Sequence, residues 1–237
     1  MKPLMVLAGG FGTRLRSVVS DVPKPLAPVG GKPFIVHLID HWVNQGVVDF
    51  IFLLHYEAGK IKNMLSELSC RDEFSGVTFR VVVEATPLGT GGAILNAIDH
   101  FGISEGFLVA NADTWLDFGV KQLANSELSA LAAVIVPNSK RYGSLKFEGE
   151  KICAFDEKLD SIDCGYVNSG LYYLLPEAFD GFEVGSAFSI ESEVFPRLVS
   201  ERLLGAVKLD SNFIDIGIPE DYLKFCKWVE LGKKNEL

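Results

Sequence analysis

The chain has 237 residues, 48% of them hydrophobic, and its 22 Lys and Arg against 31 Asp and Glu give a formal net charge of −9. That apolar fraction, with charged residues at 22%, excludes intrinsic disorder and supplies the material for a sizeable core. The acidity argues against a protein that coats nucleic acid or an anionic membrane through a diffuse positive field, and no run approaches the ~18 apolar residues of a membrane span.

The chain opens with a short apolar run at 4–7 that reads as a buried strand, followed by a Gly-rich loop through Lys32. Residues 33–45 read as a helix with Pro in its first turn. Strands at 50–54, 77–83, 106–110 and 130–136 alternate with helices at 58–68 and 90–101. Continuous apolar strands separated by helices are the signature of a doubly wound α/β sheet. After about residue 138 the rhythm changes. Strands at 143–147, 151–155, 166–174 and 203–209 suggest a more antiparallel region, with helices near 190–199 and 220–228. No Ser/Pro-rich linker separates the halves, so one domain spanning 1–237 is expected, with a nucleotide-binding half over 1–137 fused closely to a substrate-facing half over 138–237.

Charge is unevenly spread. Residues 1–32 hold Lys2, Arg14, Arg16, Lys24 and Lys32 against Asp21 alone, a formal +4 that leaves −13 for the remainder. Gly9, Gly10 and Gly12 follow the first strand directly, where α/β sheets bind ligands and where glycines let backbone N–H groups approach phosphate oxygens. Arg14, two residues beyond Gly12, adds a guanidinium suited to bidentate phosphate binding. Pro23 and Pro25 fix the backbone on either side of Lys24, which lowers the entropy lost when its ammonium is held on an anion. The apolar run at the N-terminus is too short for a signal-peptide core, and Cys70, Cys153, Cys164 and Cys226 form no CxxC pair, so free thiols in a cytoplasmic protein are expected. His37 and His41 are spaced i, i+4 but lack the His-Glu-x-x-His context of a metal site, and Ser189 reads as a helix N-cap rather than a nucleophile.

Gly9 to Leu15, then Pro23 to Pro25 and Lys32-Pro33, together resemble the sugar-1-phosphate nucleotidylyltransferases, whose signature is roughly GGxGTRL followed by PKP and KP. The resemblance extends to about Leu223 and implies a Rossmann-like, glycosyltransferase-A-like mixed sheet with an antiparallel sugar-binding elaboration. It also implies a reaction in which a sugar phosphate oxygen attacks the α-phosphorus of an NTP and pyrophosphate leaves. Arg14 and Lys24 would be the catalytic cations, with Leu7, Ala8, Gly9, Gly10, Gly12 and Thr13 around the nucleotide. Glu84, Pro87, Gly89 and Thr90 match the base-binding stretch, with Glu84 at its polar position. An ionised carboxylate only accepts, which complements the N1–H and N2–H₂ donors of guanine better than a uracil or thymine edge and favours GTP.

By the same resemblance Asp113 and Asp215 hold one Mg²⁺, in keeping with the preference of that ion for few carboxylates plus phosphate and water. Ala112 stands where the family usually has Gly, and Ile218 where Thr is common. Gly143, Glu157, Lys158 and Asn168 match the sugar-phosphate pocket, although Leu159 replaces a frequent Pro after the Glu-Lys pair. Within the family the sequence is most similar to the branch that guanylylates D-glycero-D-manno-heptose 1-phosphate. A hexose-1-phosphate uridylyl- or thymidylyltransferase, a mannose guanylyltransferase and a catalytically silent sugar-nucleotide-binding regulator stay open as alternatives. A homodimer is expected from the habits of the family, with no nucleic-acid or membrane partner.

Overall fold

The computed structural model describes residues 1–19, 21–139, 142–148, 151–156 and 164–233. Its centre is a nine-stranded sheet in which Leu4–Leu7 (β1) lies between the parallel strands formed later by Asp49–Leu54 and Phe107–Asn111. Between β1 and the first helix, two 3-10 turns and a small hairpin of Pro28–Val29 (β2) and Lys32–Pro33 (β3) fill the Gly-rich loop. Phe34–Asn44 (α1) starts after Pro33, whose missing N–H costs nothing at a helix start, and buries Phe34, Ile35, Leu38, Ile39 and Trp42 along one stripe. Asp49–Leu54 (β4), Ala58–Ser69 (α2), Thr78–Val83 (β5), Gly89–Phe101 (α3) and Phe107–Asn111 (β6) complete the parallel part.

The parallel strands are buried on both faces, which is why they read as unbroken apolar runs. Leu4, Val6, Phe50, Phe52, Leu108 and Ala110 pack to one side, whereas Met5, Ile51, Leu53, Phe107 and Val109 pack to the other. The first layer includes α1, α2 and the last helix; the second includes α3.

Three short elements escape the sequence pattern: Thr114–Leu116 (β7), Val120–Ala124 (α4) and, near the end, Phe213–Asp215. Ala130–Val136 (β8), Ser144–Glu148 (β9), Lys151–Asp156 (β10) and Gly165–Leu174 (β11) then form the antiparallel region. β11 pairs antiparallel with β6, so the sheet is continuous across the two halves of the sequence. The expected helix near 190–199 is a π-helical turn at Ile190–Val194 that runs into Phe195–Ser200 (α5). Ser189 caps that turn, its hydroxyl accepting from the N–H groups of Glu191 and Ser192.

Gly205–Leu209 (β12) pairs parallel with β8, unlike its antiparallel surroundings, because the chain crosses over through α5 before returning. Phe213–Asp215 (β13) joins β7 in a two-stranded ribbon, and Pro219–Glu230 (α6) closes the fold with Tyr222, Phe225 and Trp228 inward. Among the described residues no helix is long and apolar enough to cross a membrane.

Candidate nucleotide and metal site

Two adjoining clefts open at the carboxyl ends of β1 and β6, the edge at which open α/β sheets bind ligands. The larger has a volume of about 330 Å³ and is lined by Leu7, Gly9, Gly10, Glu84, Pro87, Gly89 and Thr90, all expected nucleotide contacts. The smaller, about 190 Å³, is lined by Leu7, Ala8, Gly10, Gly12, Thr13, Arg14 and Lys24, the expected phosphate loop. Leu7, Gly10 and Asp113 belong to both walls.

The loop geometry has a steric cause. Gly12 is left-handed (φ 59°), and a Cβ there would lie 2.8 Å from Lys24 Cβ, so only glycine lets the two segments of the loop meet. Arg14 and Arg16 alternate on the following 3-10 turn. Arg14 lines the smaller cleft, whereas the Arg16 guanidinium lies 5.3 Å from the centre of the Tyr56 ring. Lys32 pairs with Asp40 at 3.3 Å and Lys2 with Glu105 at 3.2 Å. Of the five early cations, Arg14 and Lys24 face the clefts.

Asp113 follows β6, and β7 begins with the next residue. The β7–β13 ribbon pairs Thr114 with Asp215, and the Ile216 N–H donates to the Asp113 carbonyl at 3.0 Å, so two carboxylates distant in sequence are brought face to face. Lys24 Nζ donates to Asp113 Oδ2 at 2.6 Å and to Asp215 Oδ1 at 3.3 Å. Burial, followed by the neighbouring Asp113 charge, pushes the Asp215 carboxyl above the usual carboxylate range. Trp115 on β7 packs against Phe225 and Trp228 of α6, which fixes the ribbon to the body. The donor chemistry suits a hard cation: two carboxylates with an open cleft beside them for phosphate and water oxygens.

Glu84 directly follows β5 beside the larger cleft and is buried, with 8% of its surface exposed. Its Oε2 accepts the Leu88 N–H at 2.9 Å, and burial raises its carboxyl above the ordinary value. The side chain therefore has a structural task as well as a cleft-facing position. Glu84→Gln keeps an acceptor for Leu88 while adding donors to the cleft wall and is expected to leave stability nearly unchanged, whereas Glu84→Ala is expected to cost ~1–3 kcal/mol by leaving a buried N–H unpaired. Denaturant titration of the two variants checks both statements.

Several cleft residues lie outside the sequence expectations: Phe11, His55, Asn111 and Glu191. His55 follows β4 at the same sheet edge, so its position was legible once the strand was recognised. Glu191 had no such signal. Its Oε2 accepts from Thr90 Oγ1 at 2.6 Å and from Ser189 Oγ at 2.8 Å, so Thr90 reaches the cleft with its hydroxyl already engaged.

Gly143 and Asn168 are joined to each other, the Asn168 N–H donating to the Gly143 carbonyl at 2.9 Å, but neither lines the two clefts. The Asn168 side chain accepts from the Gly170 N–H and donates to the Tyr172 hydroxyl, holding an irregularity in β11. Glu157 and Lys158 lie outside the described residues.

The nucleotidyl transferase family profile matches residues 4–230. The chain is 34% identical over 223 residues to a D-glycero-alpha-D-manno-heptose 1-phosphate guanylyltransferase of Campylobacter jejuni, covering 93% of this chain and 97% of that protein. It is 33% identical over 228 residues to the mannose-1-phosphate guanyltransferase of Saccharomyces cerevisiae, covering 92% of this chain but 62% of that protein, less than two thirds of its length. Among solved structures it is similar to HddC from Yersinia pseudotuberculosis complexed with GMP-PN, with 34% identity and a TM-score of 0.82, covering 97% of this chain and 100% of that one.

Proposed function

The chain belongs to the nucleotidyl transferase family, and from that premise we propose that it is a GTP:sugar-1-phosphate guanylyltransferase acting on D-glycero-D-manno-heptose 1-phosphate. The observation that carries the reading is the junction of the two clefts at Leu7, Gly10 and Asp113. A guanine base beside Glu84 puts the α-phosphate near that junction and the β- and γ-phosphates over Gly12, Thr13 and Arg14.

An oxygen of the sugar 1-phosphate attacks the α-phosphorus in line, forming a new P–O bond as the bond to the β-phosphate bridging oxygen breaks and pyrophosphate departs. Arg14 and Lys24 stabilise the charge that gathers on the phosphoryl oxygens, and the backbone around Gly10 and Gly12 holds the chain of phosphates in one orientation. Asp113 and Asp215 would hold Mg²⁺, which when bound supplies further neutralisation of phosphate charge. No covalent enzyme intermediate is needed. The four free cysteines, three of them exposed, support the reading of a reducing, cytoplasmic setting.

The heptose choice rests on the length match to the Campylobacter protein, which the chain covers almost end to end. Mannose 1-phosphate is the second reading, favoured by the comparable identity to the yeast enzyme. Pyrophosphate release across GTP, UTP, dTTP and CTP, each with heptose and hexose 1-phosphates and Mg²⁺, tests both. Release is expected with GTP and the heptose phosphate; release with UTP alone overturns the guanine assignment, preference for mannose 1-phosphate selects the second reading, and no release with any pair favours a silent binder.

A further inference from the structure

Lys24 lies where a cation is needed between Asp113 and Asp215. Its ammonium is 2.6 Å from one carboxylate and 3.3 Å from the other, and only 9% of the side chain is exposed. The position is built rather than incidental. Gly12 makes room for the lysine stem, since a Cβ there would strike Lys24 Cβ at 2.8 Å. On the far side Gly217 closes over the group: a Cβ there would meet Lys24 Nζ at 3.0 Å and Asp215 Oδ1 at 2.8 Å. The Gly217 N–H donates to that same Asp215 oxygen at 2.7 Å, so Asp215 is held for the lysine from two directions. Among the described residues, Lys24 is the cation paired with both carboxylates.

Two demands on this ammonium conflict, given the transferase reading on which this inference rests. The phosphates require Lys24 in the smaller cleft, and the metal requires the carboxylates that Lys24 now covers. A Mg²⁺ ion sits ~2.0–2.1 Å from its oxygen ligands, so on these carboxylates it would stand within a few ångströms of an ammonium already 2.6 Å from Asp113, and the two positive charges repel. We infer that Lys24 is a place-holder for the metal. In the free enzyme its ammonium neutralises Asp113 and Asp215 and excludes free divalent cations. When a metal-bound triphosphate arrives, Lys24 yields the carboxylates and moves onto the phosphate oxygens, whose negative charge replaces the partners it leaves. The exchange keeps the carboxylate pair neutralised in both states, so neither state carries two close, unpaired charges. It also makes the nucleotide, rather than free metal, the event that loads the site.

Mn²⁺ binding to the full-length protein without nucleotide, followed by the electron paramagnetic resonance of free Mn²⁺, tests the inference. Wild type and Lys24→Arg, which keeps the cation, are expected to bind Mn²⁺ weakly. Lys24→Met is expected to bind it at least ~10-fold more tightly, and adding Asp113→Asn to that variant is expected to remove the gain. Melting curves over the same Mn²⁺ series are the second readout: Lys24→Met should be stabilised by the metal and wild type should not, an outcome that can be read even if the variant is poorly folded without metal. Tight Mn²⁺ binding by wild type alone, or equal affinity in wild type and Lys24→Met, overturns the place-holder. Neither readout uses turnover or nucleotide, so such a result leaves the transferase reading intact, while absence of pyrophosphate release in the substrate panel would sink that reading without altering the Mn²⁺ comparison.

Discussion

Lys24→Ala is expected to lower kcat by a factor of ~10²–10³, the scale of losing one preorganised donor to a transition state. The lysine lines the smaller cleft and lies against both aspartates, so in the proposed reaction its removal takes positive charge from where phosphoryl charge would accumulate. The loss should fall mainly on kcat rather than on KM for the sugar phosphate, because the interaction strengthens as charge develops. Pyrophosphate-release kinetics at saturating Mg²⁺, with circular dichroism to confirm folding, decide the matter. Turnover close to wild type would remove Lys24 from the chemistry.

Gly92→Ala carries the second large effect, for a reason that helix propensity alone would predict with the wrong sign. Replacing a mid-helix glycine by alanine ordinarily stabilises by roughly 0.5–1 kcal/mol. Here a Cβ would lie 2.3 Å from the Ser186 carbonyl oxygen, a backbone atom with no flexible side chain to yield. The neighbouring Gly91 and Gly92 N–H groups donate to the Phe188 carbonyl at 3.0 and 3.3 Å, and the Phe188 N–H returns a bond to the Leu88 carbonyl. The start of α3 is therefore strapped to the segment that leads into Glu191. Overpacking of this kind typically costs ~1–3 kcal/mol, and by pushing that segment away it should raise KM for GTP by ~10-fold. Gly59→Ala serves as the control, since a Cβ there meets nothing within 4 Å; it should leave both stability and KM unchanged or slightly improved. Thermal melts and nucleotide KM values for the two variants measure the contrast, and a stable Gly92→Ala enzyme with wild-type KM would refute it.

The elements legible in the sequence are those with unbroken apolar runs or clear end signals. β1 matches residue for residue, and α1 begins after Pro33 and ends before Gly46, whose φ of 99° suits the turn out of a helix. β7, α4 and β13 were missed because they are short and each includes polar residues, so they lack the unbroken apolar run that marks β1. β7 and β13 form only by pairing with each other across about a hundred residues, through Leu116 with Phe213 and Thr114 with Asp215. β12 joined its sheet parallel rather than antiparallel because orientation depends on the route of the crossover, which apolar content does not encode.

The sequence by itself determined which residues could handle phosphate and where they lie relative to the first strand. Gly9 through Arg14 and Pro23 through Pro25 are contiguous, and local spacing is enough to read a phosphate loop from them. Only the tertiary structure decided which charges serve it. The +4 of residues 1–32 divides into Arg16 on Tyr56, Lys32 on Asp40 and Lys2 on Glu105, leaving Arg14 and Lys24 to the clefts. Lys24 meets carboxylates 89 and 191 positions away, and Glu191 meets Thr90 across 101. Such pairings follow from where the sheet edge, the β7–β13 ribbon and α3 bring their ends together, and electrostatic interaction depends on that distance in space rather than on separation along the chain.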